Sequence, residues 1–165
     1  MSRLSVSLFD EGPPPPCPAR FNMAAHVLGS GAEPGKTALT VLGGGGAVRE
    51  RWSYADLDRA IRGTAAGLRT AGLRPGERVA LRLANSPAFP ILFFGTVAAG
   101  GVAVPTSAAL TPGEFAALAD DMAPRFVAVS EGLEVPAPAG AGLLAGDDLA
   151  RLAAHPPGAI ADTGA

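Results

Sequence analysis

Between Leu83 and Gly113 the chain carries no charged residue. That stretch limits the possible folds more than any other feature. It is long enough to cross a bilayer. However, Pro87, Pro90, Gly95, Gly100-Gly101 and Pro105 divide it into a helix of about three turns and a short strand. Apolar runs of this kind, flanked by turn signals, belong to elements buried inside an α/β sheet. The expectation is a buried core, not a membrane span.

The flanking sequence extends this reading. Asn22 can cap a short helix through Leu28, ended by Gly29. Thr37 to Leu42 and Ala47 to Trp52 read as a hairpin joined by Gly43-Gly44-Gly45-Gly46. No Lys-Ser or Lys-Thr follows these glycines, so they form a turn and not a phosphate loop. Ser53 and Asp56 resemble a capping box, and Tyr54, Leu57, Ile61, Ala65 and Leu68 mark one apolar face of a helix ending at Gly72. Arg59, Arg62 and Arg69 lie off that stripe, on a solvated face; phosphate ligation is the alternative.

Arg78 to Leu83 is the next strand. A helix then starts with Ser86 as cap and Pro87 at its first position, or only at Pro90, which removes a hydrogen bond from the opening turn. Val102 to Val104 is a strand, Thr111-Pro112-Gly113-Glu114 a capping box, and Phe115, Leu118 and Met122 an apolar helix face. Arg125 to Ser130 and Leu143 to Ala145 complete the strands. Asp147 or Asp148 caps a last helix through Ala154. Alternating strands and helices with short connections give an α/β fold: a parallel, Rossmann-like sheet with flanking helices and an N-terminal β-hairpin at its edge or beside it.

The 165 residues suit one domain, divided into a proline-rich disordered leader over 1–20, a folded unit over 21–154 and a linker-like tail over 155–165. A net charge of −2 gives no attraction to nucleic acid or an anionic membrane. Cys17, the single cysteine, permits no intrachain disulfide and has no basic neighbour to activate it. Leu4 to Phe9 is too short for a secretory core and precedes Asp10 and Glu11, so the expected location is cytoplasmic.

His26 and His155 lack metal-ligand spacing, and adjacent Asp120-Asp121 or Asp147-Asp148 do not point together on a helix. No catalytic or metal residue is assigned, and cofactor-binding residues remain unknown.

Several strings add a family resemblance. They are Trp52-Ser-Tyr-Ala-Asp-Leu57, Gly72-Leu-Arg-Pro-Gly-Glu-Arg-Val-Ala80, Asn85-Ser-Pro87, Val97-Ala-Ala-Gly-Gly-Val-Ala-Val-Pro105 and Thr111-Pro-Gly-Glu114. In this order they resemble the first motifs of the AMP-forming adenylating enzymes, the acyl- and aryl-CoA synthetase superfamily. Arg20-Phe-Asn-Met-Ala-Ala25 is similar to the opening of benzoate-type CoA ligases. Where that family often places Asn or Asp, this chain has Ser107. Thr106 and Ser107 are read as a strand-exit turn bonding its own backbone, without a catalytic role.

The resemblance implies a two-step reaction. A carboxylate attacks the α-phosphate of Mg·ATP, giving an acyl-adenylate and pyrophosphate, and coenzyme A thiolate then displaces AMP. It also implies a Ser/Thr/Gly-rich loop with a lysine, a later ribose-binding acid and a further lysine. None has a match here; Lys36 is the only lysine and sits in an unrelated loop. The chain stops at Ala165, about where the family's phosphate-binding loop begins. It therefore resembles the front of such an enzyme, truncated before that loop and inactive alone.

ATP, Mg²⁺ and coenzyme A are implied for a full-length relative, and none for this chain. The alternatives are a non-catalytic interaction or dimerisation module (hence a possible homo-oligomer) and a small Rossmann-type nucleotide binder. The last lacks a glycine-rich strand–helix turn.

Overall fold

The computed structural model describes residues 18–29, 31–136 and 140–163. Residues 1–17, with Cys17 and most of the proline-rich leader, lie outside the described residues. Four parallel strands, β3 (Arg78–Arg82), β4 (Val102–Pro105), β5 (Phe126–Val129) and β6 (Gly142–Ala145), form a sheet in the order β4-β3-β5-β6. Register runs Val79 opposite Ala103 and Phe126, and Phe126 opposite Gly142. An antiparallel hairpin, β1 (Thr37–Leu42) with β2 (Val48–Ser53), forms a separate two-stranded sheet. It turns through a single 3-10 turn at Gly44–Gly46, where the Gly43 N–H donates to Ala47 O at 2.7 Å.

Strand residues alternate between two faces, so each face needs its own cover. Val79, Leu81, Leu83, Phe126, Ala128 and Leu144 join the larger core. It is built against α2 (Tyr54–Thr70), α3 (Ala88–Ala98) and α5 (Asp147–Ala154). Ala80 and Val127 face the other way, onto Phe115 and Ala119 of α4 (Pro112–Met122). Burial on both faces explains the near-continuous apolar runs of the two central strands, β3 and β5. α3 is apolar all round, with Ile91, Leu92 and Ala98 buried and Phe89, Phe93, Phe94 and Val97 partly buried against the same core. The first half of the uncharged stretch, through Ala99, therefore supplies core, and the second half is a partly exposed strand and loop.

Both capping boxes form. Ser53 Oγ accepts from Asp56 N at 3.1 Å and Thr111 Oγ1 accepts from Glu114 N at 3.3 Å, with each acid returning a bond to its cap's backbone. Two helix starts differ from expectation. Pro87, not Ser86, is the cap residue of α3, and no side chain bonds there. Pro90 falls in the first turn, where N–H groups have no intrahelical acceptor, so it removes no bond and the helix begins before it. In α5 the cap is Gly146 at φ 52°, and neither aspartate caps; Asp148 instead accepts from the Ala145 N–H at 3.2 Å.

A short helix, α1 (Met23–Leu28), precedes the hairpin and is capped by Asn22. Residues 156–163 lie along the ends of α2 and α3 and meet the segment before α1. Ala161 N donates to Ala98 O at 2.7 Å, Phe21 N to Thr163 O at 3.1 Å, and Ile160 packs on the larger core. Arg20 forms an ion pair with Asp162.

Candidate functional site

In an open parallel sheet, ligands gather outside the carboxyl ends of the strands, where the strand order reverses. Here the reversal lies between β3 and β5, because the chain passes from β3 to β4 on one side and then to β5 on the other. Three loops meet there: Leu83–Pro87 after β3, Thr106–Thr111 after β4, and Ser130–Leu133 after β5. Ser130 stitches the first to the third: its Oγ accepts from Ala84 N at 2.8 Å, and its own N–H donates to Arg82 O at 3.2 Å.

The second loop shows the turn chemistry expected of Thr106 and Ser107. Thr106 donates twice to Leu81 O, from N at 3.0 Å and from Oγ1 at 3.2 Å. Ser107 Oγ accepts from Ala109 N at 3.2 Å. Both side chains are spent on backbone. Arg82 was not singled out in the sequence, yet it is the most unusual residue of this end of the sheet. It is only 3% exposed, its Nη2 donates to Leu110 O at 2.6 Å, and its guanidinium lies 5.2 Å from the centre of the Phe115 ring. A charge inside the otherwise apolar Val79–Ala84 run was the available signal.

The other titratable groups serve the scaffold. Asp56 is held below the ordinary carboxylate range by the Ser53 hydroxyl and backbone, and Glu114 by the Thr111 backbone and hydroxyl. Asp148 is lowered by Arg151 and by the Ala145 N–H. Carboxylates held ionised by caps are poor general bases at neutral pH. Of the arginines off the α2 stripe, Arg59 pairs with Asp56 on an exposed turn and Arg62 with Asp58 on a half-buried one. Arg69 departs from the solvated-face expectation: it clamps Ala98 O at 3.3 Å and Ala159 O at 2.7 Å. His26 lies against Phe21, with ring centres 5.5 Å apart, and His155 sits beyond α5.

An open cleft of about 640 Å³ lies away from the switch point, between β2, the start of α2 and α5. Alanines 60, 150, 153 and 154 line it, with Trp52 and the Asp56–Arg59 pair also present. Among the described residues no group of three His, Cys, Asp or Glu side chains could hold a metal, and no helix is long and apolar enough to cross a membrane. Lys36 is exposed in the approach to β1, where its carbonyl accepts from Tyr54 N.

Residues 30–156 match the family described as AMP-binding enzyme, and the chain belongs to that family. A crotonobetaine/carnitine–CoA ligase from Escherichia fergusonii is 44% identical over 75 residues, covering 46% of this chain and 14% of that protein. The crystal structure of a benzoate CoA ligase from Burkholderia xenovorans superposes with a TM-score of 0.74 at 28% identity, covering 87% of this chain and 31% of the other. ATP-bound MatB from Rhodopseudomonas palustris gives 0.71 at 28% identity over 87% of this chain and 30% of its own. The fold is that of the N-terminal subdomain of adenylate-forming enzymes. The chain spans less than a third of these relatives.

Proposed function

We propose that residues 21–154 form the N-terminal subdomain of an acid–CoA ligase, converting a carboxylate, ATP and CoA to an acyl- or aryl-CoA, AMP and pyrophosphate once completed by further polypeptide. The supporting observation is the 0.74 superposition on a benzoate CoA ligase, with 31% of that chain covered by 87% of this one. The described residues do not fit ATP, Mg²⁺ or coenzyme A by themselves. No lysine approaches the switch point, the lowered carboxylates Asp56 and Glu114 are engaged in caps and Asp148 with Arg151 and the Ala145 N–H, and the loop side chains Thr106, Ser107 and Ser130 bond backbone. No step of the reaction is therefore assigned to a residue of this chain.

Exposed apolar residues support a surface for the completing portion. The α4 face of the sheet is covered by one helix. Val102 and Leu143, on that face by register with Ala80 and Val127, are half-exposed, as is Leu118 of α4. The proposed location is the cytoplasm, where ATP and coenzyme A are supplied.

The test is a chimera. Residues 21–163 replace the corresponding segment of the Burkholderia benzoate CoA ligase, and benzoate-dependent ATP–pyrophosphate exchange is measured. Exchange by the chimera and none by the isolated chain supports the proposal. A well-folded chimera without activity, or exchange by the chain alone, overturns it.

The same exposed apolar residues favour a second reading, an interaction module that associates with itself or with a longer relative. Sedimentation showing a monomer at all concentrations removes the homo-oligomer.

A further inference from the structure

The carboxyl end of β3 holds a charge whose environment is incomplete. Arg82 ends in a guanidinium that offers five N–H donors. In this structure it uses Nη2 alone, on the Leu110 carbonyl, while Nε and Nη1 have neither a hydrogen-bond partner nor contact with solvent among the described residues. No carboxylate pairs with it there. The Phe115 face gives some compensation. A buried, largely unpaired guanidinium is nevertheless much costlier than a buried neutral group.

The cover over this charge is slight. Ser107–Leu110 has no regular structure, and its internal bonds are Ser107 Oγ to Ala109 N and Ser107 O to Leu110 N. Its only hydrogen bond to the rest of the described molecule is the one that Leu110 O accepts from Arg82. Arg82 thus supplies the loop's polar anchor, beside the apolar one that Leu110 makes by packing on the Phe115 cluster. An anion that took the guanidinium would gain charge-assisted hydrogen bonds and release Leu110, and it would arrive where open α/β sheets bind ligands.

We propose that Arg82 is the receptor of a small oxyanion, a carboxylate or a phosphate, admitted when the Ser107–Leu110 flap lifts from the carboxyl end of β3. The ligand displaces the Leu110 carbonyl, engages the unused donors and leaves the flap free. The site is independent of the acid–CoA ligase reading and stands or falls on binding by this chain.

The test uses the ¹⁵N-labelled chain and the Arg82 Nε–Hε resonance, assigned by its loss in Arg82→Lys. Inorganic phosphate and acetate are titrated separately at constant ionic strength against sodium chloride. The expected result is a saturable shift with phosphate or acetate, at concentrations at least about tenfold below any effect of chloride. The Ala109 and Leu110 amides shift in parallel. The more effective anion identifies the ligand as phosphate or carboxylate. The same anion raises the melting temperature of the parent chain and of Arg59→Met, and leaves Arg82→Met unmoved. An Arg82 resonance that ignores both anions, or an equal thermal gain in Arg82→Met, overturns the proposal.

Discussion

Asn22 uses every hydrogen-bonding position of its side chain. Oδ1 accepts from Ala24 N at 3.0 Å and Ala25 N at 3.4 Å, while Nδ2 donates to Val97 O at 2.9 Å and Ala161 O at 3.1 Å. One amide thus caps α1, closes the end of α3 and holds residue 161. The capping half was legible in the sequence, because Asn before an apolar hexamer is a local signal. The bridging half was not, since its acceptors lie 75 and 139 positions away. Arg69 is the same case: its spacing marked the polar face of α2, but its two carbonyl partners come from α3 and the C-terminal segment. Asn22→Ala is expected to cost about 2–3 kcal/mol, combining a lost cap with carbonyls left unpaired. Asn22→Asp should keep the cap and still lose the bridge, falling between parent and alanine variant in denaturant unfolding.

At the scale of elements, the sequence was most reliable where structure is set locally. Both capping boxes, the hairpin turn and the strands of the sheet lie within a residue or two of their expected positions. Ser86, Asp147 and Asp148 mislead for one reason: a capping residue type beside a helix start does not fix which backbone position it occupies. Gly146 takes the α5 cap through a positive φ that the aspartates would resist.

The caps also carry a pH dependence. Glu114 is lowered in the folded state, so its stabilisation is present above the ordinary carboxylate value and is lost as pH falls through the lowered one. Glu114→Gln should therefore be less stable than the parent at neutral pH. The two should converge as pH falls through that lowered value, read from urea midpoints across the acid range.

Packing between elements gives a sharper test. A Cβ on Gly63 would lie 2.6 Å from both Ala153 O and His155 O, backbone atoms that cannot rotate away. Gly63→Ala should force α2 from α5 at a cost of about 1–3 kcal/mol, whereas Gly44→Ala, with open space around it, should shift stability by less than about 0.5 kcal/mol.

For the whole molecule, the segment after α5 decides how much chain the fold needs. Composition made 155–165 read as a linker, because His155-Pro156-Pro157 ends the helical pattern and little apolar sequence follows. Its contacts are long-range and have no sequence period: Gly158 N to Arg62 O at 3.4 Å, Arg69 to Ala159 O at 2.7 Å, Ala161 N to Ala98 O, Phe21 N to Thr163 O, and Thr163 Oγ1 to Phe21 O. Ile160 adds apolar burial. Together they tie the segment before α1 to the far ends of α2 and α3, so both ends of the described fold close on one another. Ending the chain after His155 should remove these bonds at once and leave Asn22 Nδ2 and Arg69 each short of a partner. The expected loss is about 3 kcal/mol or more, seen as a lower denaturation midpoint and faster hydrogen exchange in α1. An unchanged midpoint would mean that the segment rests on the surface without holding it. In that case residues 21–154 would be the complete folding unit.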